Sequence, residues 1–563
     1  MKLKIISAFL ATALLAGYAS NLCVSAEEYS VKYEFEDGAI ASGLKVLTEI
    51  EGYSGSGYVG SFSSDSQYAE VEISVPKTAK YDITVRNAAL NIYKENNCYL
   101  DGQSLGTIIT NEMNGWQDFT FYGVNIEAGS HKIKVSKNWG WFYVDCVTIT
   151  EGSGISSSVY EVSRKLSNPN ANDDAKRLWA YLCDNYGKNI ISGQYDDKGQ
   201  YSNEYSAILS ATGKAPAVWG FDMMEYSPSR VRISGSTPTV TERSIEWAKE
   251  YGGIVTYCWH WTPNEKYLYA NGEQWWSGFY TKATTFDIKA AMSDTSSEEY
   301  KYIIEDIDAI AVQLQKLEDA GVAVLWRPLH EASGGWFWWG TDRDSYIKLW
   351  NLLYDRLTNF HGLDNLIWVW NGQKGSWYPG DDTVDIVGYD IYAEKHDTSS
   401  QMSKFNICRS YSNENKMIAL SENGVIPDID NCIEDNVMWS WFGVWGGEFI
   451  ANDYSLSSTY TPIDVIKKVY QSDRVITLDE VPDLSAYPIE GIPDDTDTDS
   501  EPIPGDVDNN MKLDILDVVL VRAHIVGSDN LSPEGFKRAD INSDGNIDVL
   551  DVVFMRNAIV NKV

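Results

Sequence analysis

Basic residues, paired cysteines and long apolar runs are what this 563-residue chain has little of. Only 45 Lys and Arg stand against 81 Asp and Glu, a formal net charge of -36. Such a surface repels polyanions, which excludes nucleic acid and argues against an anionic membrane as partners. Part of the acidic excess suits solubility or calcium binding. The seven cysteines include no Cys-x-x-Cys and no close pair, so the usual zinc and redox spacings are absent. Beyond the amino terminus no segment offers about 18 uninterrupted apolar residues, so no membrane insertion is expected. The one clear apolar run, Ile5 to Gly17, follows Lys2 and Lys4 and precedes Val24-Ser25-Ala26. That is the layout of a secretory signal peptide over 1–26, and it predicts a secreted, extracellular protein. Leu22 before Cys23 is not the small residue that a lipid-attachment site wants. Loss of Cys23 leaves Cys98, Cys146, Cys183, Cys258, Cys408 and Cys432, an even set that permits disulfides or buried free thiols and decides neither.

Tryptophan and tyrosine are abundant, at 21 and 35. Flat rings with a polar tip suit a ligand that offers both C–H faces and hydroxyls, and carbohydrate fits that description. A chain of this length should also divide into several domains. The stretch that organises it is VAVLWRPLHEASGGWFWWG (322–340). Its first half is a short apolar, β-branched run of the kind buried on both faces in a parallel sheet. Arg327, His330 and Glu331 end it, and a Gly-containing loop leads to Trp336, Phe337, Trp338 and Trp339. A core strand needs no carboxylate there, whereas the carboxyl ends of (β/α)₈ barrel strands carry active sites. Glu331 is therefore the first catalytic candidate. Of the adjacent Trp338 and Trp339, at most one is expected to face a substrate.

From about Tyr160, strand-like runs alternate with amphipathic helical ones. The runs are 189–195, 215–224, 253–261, 322–331, 366–372, 384–392, 417–424 and 441–448, with helices such as 297–321 and 345–360 between them. Eight strands with intervening helices predict a (β/α)₈ TIM barrel over 158–475, with 264–293 as an insertion walling the cleft. Polar and aromatic residues gather where the strands end: His260 on the third, Arg327, His330 and Glu331 on the fourth, Asp390 and Tyr392 on the sixth, Glu422 on the seventh, Trp445 on the eighth. Glycoside hydrolysis needs two carboxyl groups about one bond, and Glu331 and Glu422 supply them. The negative charge of Glu422 should raise the pKa of Glu331, while Arg327 and Tyr392 should keep Glu422 charged. No cofactor is called for in catalysis.

Residues 27–152 read as an antiparallel β-sandwich, with period-two segments at 68–75, 81–88 and 131–137 separated by turn residues. The sequence YEFEDG is expected to put Glu34 and Glu36 on one face of the first strand, and Asp145 lies in the last. Together they could share a calcium ion or be solvated edge charges, and the residues alone leave both open. A linker rich in Asp, Thr, Ser and Pro is expected across 476–504. In 505–563, DVDNNMKLDILD (506–517) and DINSDGNIDVLD (540–551) are twelve-residue loops repeated in register, each followed by an apolar helix. Asp506, Asp508, Asn510, Asp514 and Asp517, then Asp540, Asn542, Asp544, Asp548 and Asp551, stand at calcium-ligand positions, with Lys512 and Asn546 offering carbonyls. Both loops end in Asp rather than Glu, and Met511 replaces the usual Gly of the first.

Three resemblances follow. WRPLHEASGGWFWWG, TYCWHW, GYDIY and IALSENG together resemble glycoside hydrolase family 26, across about 160–475. That implies a retaining endo-β-1,4-mannanase with Glu331 as acid/base and Glu422 as nucleophile. His330, Trp336, Asp390 and Tyr392 would line the cleavage subsite; Arg327, from its place at the strand end, is a further substrate-binding candidate. His260 would bind the neighbouring sugar. Trp441 and Trp445 both stand near the family's strand-eight aromatic, and Trp445 lies closer to the strand's end. YEFEDG, GYVGSF (57–62) and NWGWFYVD (138–145) resemble a carbohydrate-binding module of family 35, which implies a structural calcium on Glu34, Glu36 and Asp145 and a stacking ring, Trp139 ahead of Trp116 and Tyr58. The repeated loops resemble a dockerin, which implies two calcium ions and a cohesin partner on a cellulosome scaffoldin, read by Ile515, Leu516, Val549 and Leu550. The rivals are a β-1,3-1,4-glucanase or xylanase of the same family, and a non-catalytic scaffold protein, which intact carboxylates at 331 and 422 disfavour.

Overall fold

The computed structural model describes residues 29–560 apart from 93, 111–113, 140, 153–154, 413, 490, 493–503, 509–512, 528–530, 532 and 542–545, so the signal peptide expected at 1–26 lies outside the described residues. These residues form two compact units, within 1–153 and 154–563.

The first unit is a two-sheet sandwich. One sheet runs Lys45–Leu47, Tyr58–Gly60, Tyr143–Glu151, Ala79–Ala88 and Gln117–Ile126, with Ser30–Glu34 also paired to Tyr143–Glu151. The other runs Ala39–Ile40, Tyr68–Val75, Gly129–Trp139, Lys94–Leu100 and Gln103–Thr110. Alternation decides the packing: in Tyr68–Val75 the side chains of Ala69, Val71, Ile73 and Val75 are buried and join Ile83, Val85, Ile133 and Val135 in one core. Glu36 departs from expectation. The first strand ends at Glu34, and Phe35, fully buried, pulls the chain into a 3₁₀ turn over Phe35–Asp37. Glu34 and Glu36 therefore stand on a strand end and a turn, not on one strand face.

The second unit is built on a closed barrel of eight parallel strands: β1 Gly193–Tyr195, β2 Val218–Asp222, β3 Ile254–Cys258, β4 Val324–Arg327, β5 Leu366–Trp370, β6 Ile386–Ile391, β7 Met417–Asn423 and β8 Phe442–Val444. β1 closes on β8 through Gln194 and Val444. Every strand is buried along its length, which is why each reads as an apolar run. The expected helices form at Glu298–Asp319 and Arg343–Asp355, the latter running into a π turn at Arg356–Phe360. Ser297 caps the first by accepting from the Tyr300 N–H, and Glu298 and Glu299 favour its positive end.

β4 stops earlier than the sequence pattern suggests. Pro328 removes a ladder donor after Arg327, and Leu329 and Glu331 take left-handed φ of 52° and 53°. The chain turns there instead of extending to 331, and the Glu331 N–H is tied to the Asn371 carbonyl beyond β5 at 2.7 Å. The stretch expected as linker from 476 keeps ordered contacts further on. Val475–Ile476 pairs with Ile190–Ile191, and the Tyr487 hydroxyl donates to Asp184 at 2.9 Å. Near the carboxyl terminus lie helices Ile515–Ile525, Pro533–Ala539 and Val549–Val560, with a small core that includes Val518, Val521, Val552 and Met555. No described helix is long and apolar enough to cross a membrane.

Candidate active site

The carboxyl ends of β4, β6 and β7 bring Glu331, Asp390 and Glu422 together, one oxygen of each lying within 4.8 Å of the others. Arg327, fully buried at the end of β4, occupies the ground beneath them. Its Nη1 donates to Asp390 at 2.8 Å and its Nη2 to Glu422 at 2.7 Å. The guanidinium therefore serves the acids and does not face a substrate. Tyr392, just past β6, donates its hydroxyl to the other oxygen of Glu422 at 2.5 Å. Asp390 is held on its far side by Asn371 at 2.6 Å and Ser421 at 2.9 Å. Glu331 has a different setting: it accepts from the Trp336 indole N–H at 2.9 Å. Burial, then the charge of Glu422, pushes the Glu331 carboxyl up to about 7, with the Trp336 bond and Arg327 opposing. The Tyr392 phenol is held above its ordinary value by burial and then by Glu422, so it stays a donor.

Rings wall this group. Trp336 is 45% exposed and Tyr392 47%, so both present faces to the cleft. Trp445 is partly exposed, lies 5.4 Å from Tyr195 and 5.9 Å from His260 between ring centroids, and is the strand-eight aromatic at the site; Trp441 is fully buried. Trp338 and Trp339 both pack inward, donating to the carbonyls of Trp261 and His330. The insertion at 264–293 folds as short turns against the 332–340 loop. The Thr281 N–H donates to the Trp336 carbonyl at 2.7 Å, and the Tyr280 ring stacks on Phe337 at 5.5 Å. His260, after β3, places its Nε2 3.3 Å from that of His330 and its Nδ1 2.6 Å from Asp222.

Two members of this site were not singled out from sequence. Asp222 stands in GFDMM and Asn371 in WNG, where an isolated acid and an Asn-Gly read as strand-end punctuation. The usable signal was position alone, since both follow apolar runs of the barrel pattern at their carboxyl ends.

In the sandwich, Glu34, Asp145 and Cys146 approach within 4.8 Å of one another. Ser54 donates to Glu34 at 2.7 Å, and Arg86 lies 3.4 Å from Asp145. Glu36 accepts from the Ser56 N–H at 2.7 Å, and its second oxygen is buried with no donor among the described residues. Two close acids and an orphaned buried carboxylate oxygen are a donor set that fits a calcium ion. Tyr58 is buried against Trp116, and the Trp139 side chain lies outside the described residues. Near the carboxyl terminus Asp506, Asp508 and Asp517 converge within 4.8 Å, and burial pushes Asp517 up to about 6. Crowded, desolvated acids of this kind fit a hard cation. Asp514 and Asp548 cap the two helices, accepting from the Leu516 and Leu550 N–H at 2.8 and 2.7 Å, and Asp551 accepts from the Asp548 N–H at 2.9 Å. Asp540 is partly buried and Asn546 exposed; Asn510, Lys512, Asn542 and Asp544 lie outside the described residues. Ile515, Leu516, Val549 and Leu550 are all exposed. The six cysteines among the described residues are free thiols, five of them buried.

Comparison with known proteins adds three family matches: Glycosyl hydrolase family 26 over 167–480, Carbohydrate binding module (family 35) over 31–152, and Dockerin type I domain over 504–560. A mannan endo-1,4-beta-mannosidase of Thermothelomyces thermophilus is 42% identical over 450 residues, covering 80% of this chain and 90% of its own. Mannan endo-1,4-beta-mannosidase B of Piromyces sp is 36% identical over 461 residues, covering 81% and 78%. Among solved structures, a Podospora anserina GH26-CBM35 beta-(1,4)-mannanase is similar with a TM-score of 0.56 at 40% identity, over 81% of this chain and 99% of that one. A ruminal GH26 endo-beta-1,4-mannanase gives a TM-score of 0.61 at 30% identity over the same shares.

Proposed function

The chain belongs to glycosyl hydrolase family 26, and from that premise we propose that it is a secreted endo-β-1,4-mannanase that cleaves plant cell-wall mannan with retained configuration. The observation that carries the reading is the spacing of its acids. One oxygen of Glu331 and one of Glu422 lie within 4.8 Å, a close approach that supports the retaining arrangement, with carboxyl groups about 5–5.5 Å apart, over the about 6.5–9.5 Å of an inverting one.

Glu331 protonates the departing glycosidic oxygen while Glu422 attacks the anomeric carbon, forming a glycosyl ester. Glu331, now ionised, takes a proton from the water that hydrolyses the ester. Arg327, Asp390 and Tyr392 orient Glu422, and Arg327 and Asp390 do so from beneath rather than by touching sugar. Trp336, Trp445 and His260 bind the rings on either side of the scissile bond, with His330 beside them.

The flanking modules extend this reading. The dockerin type I segment is a calcium-binding, cohesin-docking module. We assign it two ions, on the loops at 506–517 and 540–551, and a cellulosomal scaffoldin as partner met through Ile515, Leu516, Val549 and Leu550. The family 35 module at 27–152 would hold one structural calcium on Glu34, Glu36 and Asp145, and residues 158–475 would form the catalytic barrel.

The test is product analysis on galactomannan, glucomannan, mixed-linkage glucan and xylan, with the anomer followed by NMR. Release of β-configured manno-oligosaccharides supports the proposal; preference for glucan or xylan, or inverted product, overturns it. Glu331→Ala should slow mannan hydrolysis and be partly rescued by azide, and Glu422→Ala should abolish turnover in a folded barrel. A near-normal rate in either removes that residue from its role.

A further inference from the structure

His260 is held from behind by a residue with no part in the acid pair. Asp222, buried at the end of β2, faces His260 Nδ1 with Oδ2 at 2.6 Å and accepts the His260 main-chain N–H with Oδ1 at 3.0 Å. The Met224 N–H fills Oδ1 further at 2.9 Å, and the N–H of Asp222 itself donates to Asp197 at 2.9 Å. With a carboxylate on Nδ1, that nitrogen keeps its proton in both charge states of the ring, and titration is confined to Nε2.

That Nε2 meets His330 at 3.3 Å. His330 is buried against the rings of Phe337 and Trp339, and among the described residues its Nδ1 has no hydrogen-bond partner, so the polar contact of its ring is the one with His260. It also stands between Leu329 and Glu331, two non-glycine residues in left-handed backbone. A turn of that kind persists only where its surroundings hold it.

We propose that Asp222 is a positioning residue for hydrolysis: it fixes the His260 ring with Nε2 against His330, and the imidazole pair braces the left-handed turn that aims Glu331. The inference rests on Glu331 being the acid/base.

The charges around His260 give the brace a pH dependence. Burial works against the imidazolium, but Asp222 from β2, helped by Glu422 from β7, outweighs it and the opposing Arg327 from β4, so the His260 pKa is raised. Asp197 lies behind Asp222, Cys258 precedes on β3, and the remaining walls are the uncharged rings of Phe279, Phe337 and Trp445. His330 is pushed well below its ordinary value by burial, then by Arg327 and His260. A charged His260 donates Nε2–H to a neutral His330, and rising pH removes that proton.

Asp222→Ala tests this in the full chain. It leaves His260 Nδ1 and the His260 main-chain N–H without their acceptor, so the ring is no longer fixed with Nε2 on His330. At mildly acid pH the variant should lose at least roughly tenfold in kcat/KM on mannan, a fraction of what a positioned general acid contributes. Asp222→Asn keeps Oδ1 on the two main-chain N–H groups and leaves His260 as the Nε2–H tautomer that can still donate to His330, as in other carboxylate–imidazole pairs, so it should restore most of that loss. The loss in Asp222→Ala should be smaller on a dinitrophenyl mannobioside, whose leaving group needs little acid help. Nitrogen-15 imidazole spectra, tractable with six histidines in the chain and assigned with His260→Gln, should show a protonated Nδ1 in the wild type. Activity of Asp222→Ala within twofold of wild type at every pH, an equal loss on both substrates, or an Asp222→Asn as impaired as Asp222→Ala overturns the proposal. So does a bare Nδ1 on wild-type His260, which decides the matter even where Asp222→Ala does not fold. An active Glu331→Ala sinks the reading of Glu331; an inactive Glu331→Ala beside a normal Asp222→Ala sinks this inference alone.

Discussion

Replacing Trp336 by Phe keeps a ring in the cleft and removes one donor. The indole N–H donates to Glu331 at 2.9 Å, and this bond opposes the burial and the Glu422 charge that push the carboxyl up to about 7. A bond to the ionised form favours it, so losing the bond raises the pKa further. Hydrogen bonds to charged groups contribute about 1.5–3 kcal/mol net. Trp336 is 45% exposed, so water replaces part of that. Taking about half leaves roughly 0.75–1.5 kcal/mol, and at about 1.36 kcal/mol per pH unit this moves Glu331 up by roughly 0.6–1.1 unit. Glu331 must hold its proton to act as acid, so its titration sets the alkaline limb of kcat/KM. The assay is kcat/KM on soluble mannan from about pH 4 to 9 for wild type and Trp336→Phe. The limb of the wild type should fall near about 7, and that of the variant should sit higher by that shift. A limb that stays in place, or moves to lower pH, refutes the assignment of Glu331 and the sign of the Trp336 contribution together.

Glu331→Gln should stabilise the barrel at alkaline pH. The folded pKa is raised from 4.5 to about 7, so the wild type loses stability as pH climbs through that window, on the order of 3 kcal/mol, which the amide escapes; a thermal-midpoint difference that is the same at both ends of the window refutes this. Arg327→Met leaves Asp390 and Glu422 buried without their cation and should cost about 3–5 kcal/mol in denaturant unfolding, and a loss below about 1 kcal/mol counts against the buried ion-pair account. Chelation of the full chain should melt helices Ile515–Ile525 and Val549–Val560 and end cohesin binding while mannan hydrolysis continues; unchanged circular dichroism and retained binding tell against the calcium loops.

The barrel was legible because a parallel strand covered on both faces has no polar side, and each of the eight apolar runs contains one strand of the barrel. The acids were legible for the converse reason: a carboxylate ending such a run has no packing use. What the sequence could not supply is register. Asp390 lies opposite Glu422 across a register shift between β6 and β7, and Asp222 opposite Cys258 across β2 and β3. Only those pairings turn the acids of separate strands into partners for Arg327 and His260. Arg327 shows the same limit from the other side. Its charge at a strand end marked it for the site, but its complete burial, which turns it from a sugar contact into a support, depends on Tyr195 lying 5.5 Å from its guanidinium and on the two acids above. The turn at Glu331 was hidden by the apolar run continuing through Leu329, where Pro328 was the breaking signal.

The arrangement also explains how one carboxyl can be acid and then base without any large movement. Glu331 owes part of its raised pKa to the charge of Glu422. When Glu422 becomes an ester that charge is gone, and Glu331 has surrendered its proton in the same step. The cluster of Glu331, Glu422, Asp390 and Arg327 therefore carries the same total charge before and after, and the buried guanidinium, tied to Asp390 at 2.8 Å throughout, need not move. With its neighbour neutral, Glu331 loses one of the two causes that favoured its proton, so its pKa falls at the stage where it must act as a base. Burial, the first and larger cause, persists and keeps the carboxylate basic enough to take a proton from the incoming water. The two roles thus follow from one geometry, two acids close enough to feel each other's charge and a cation that fixes which of them begins ionised.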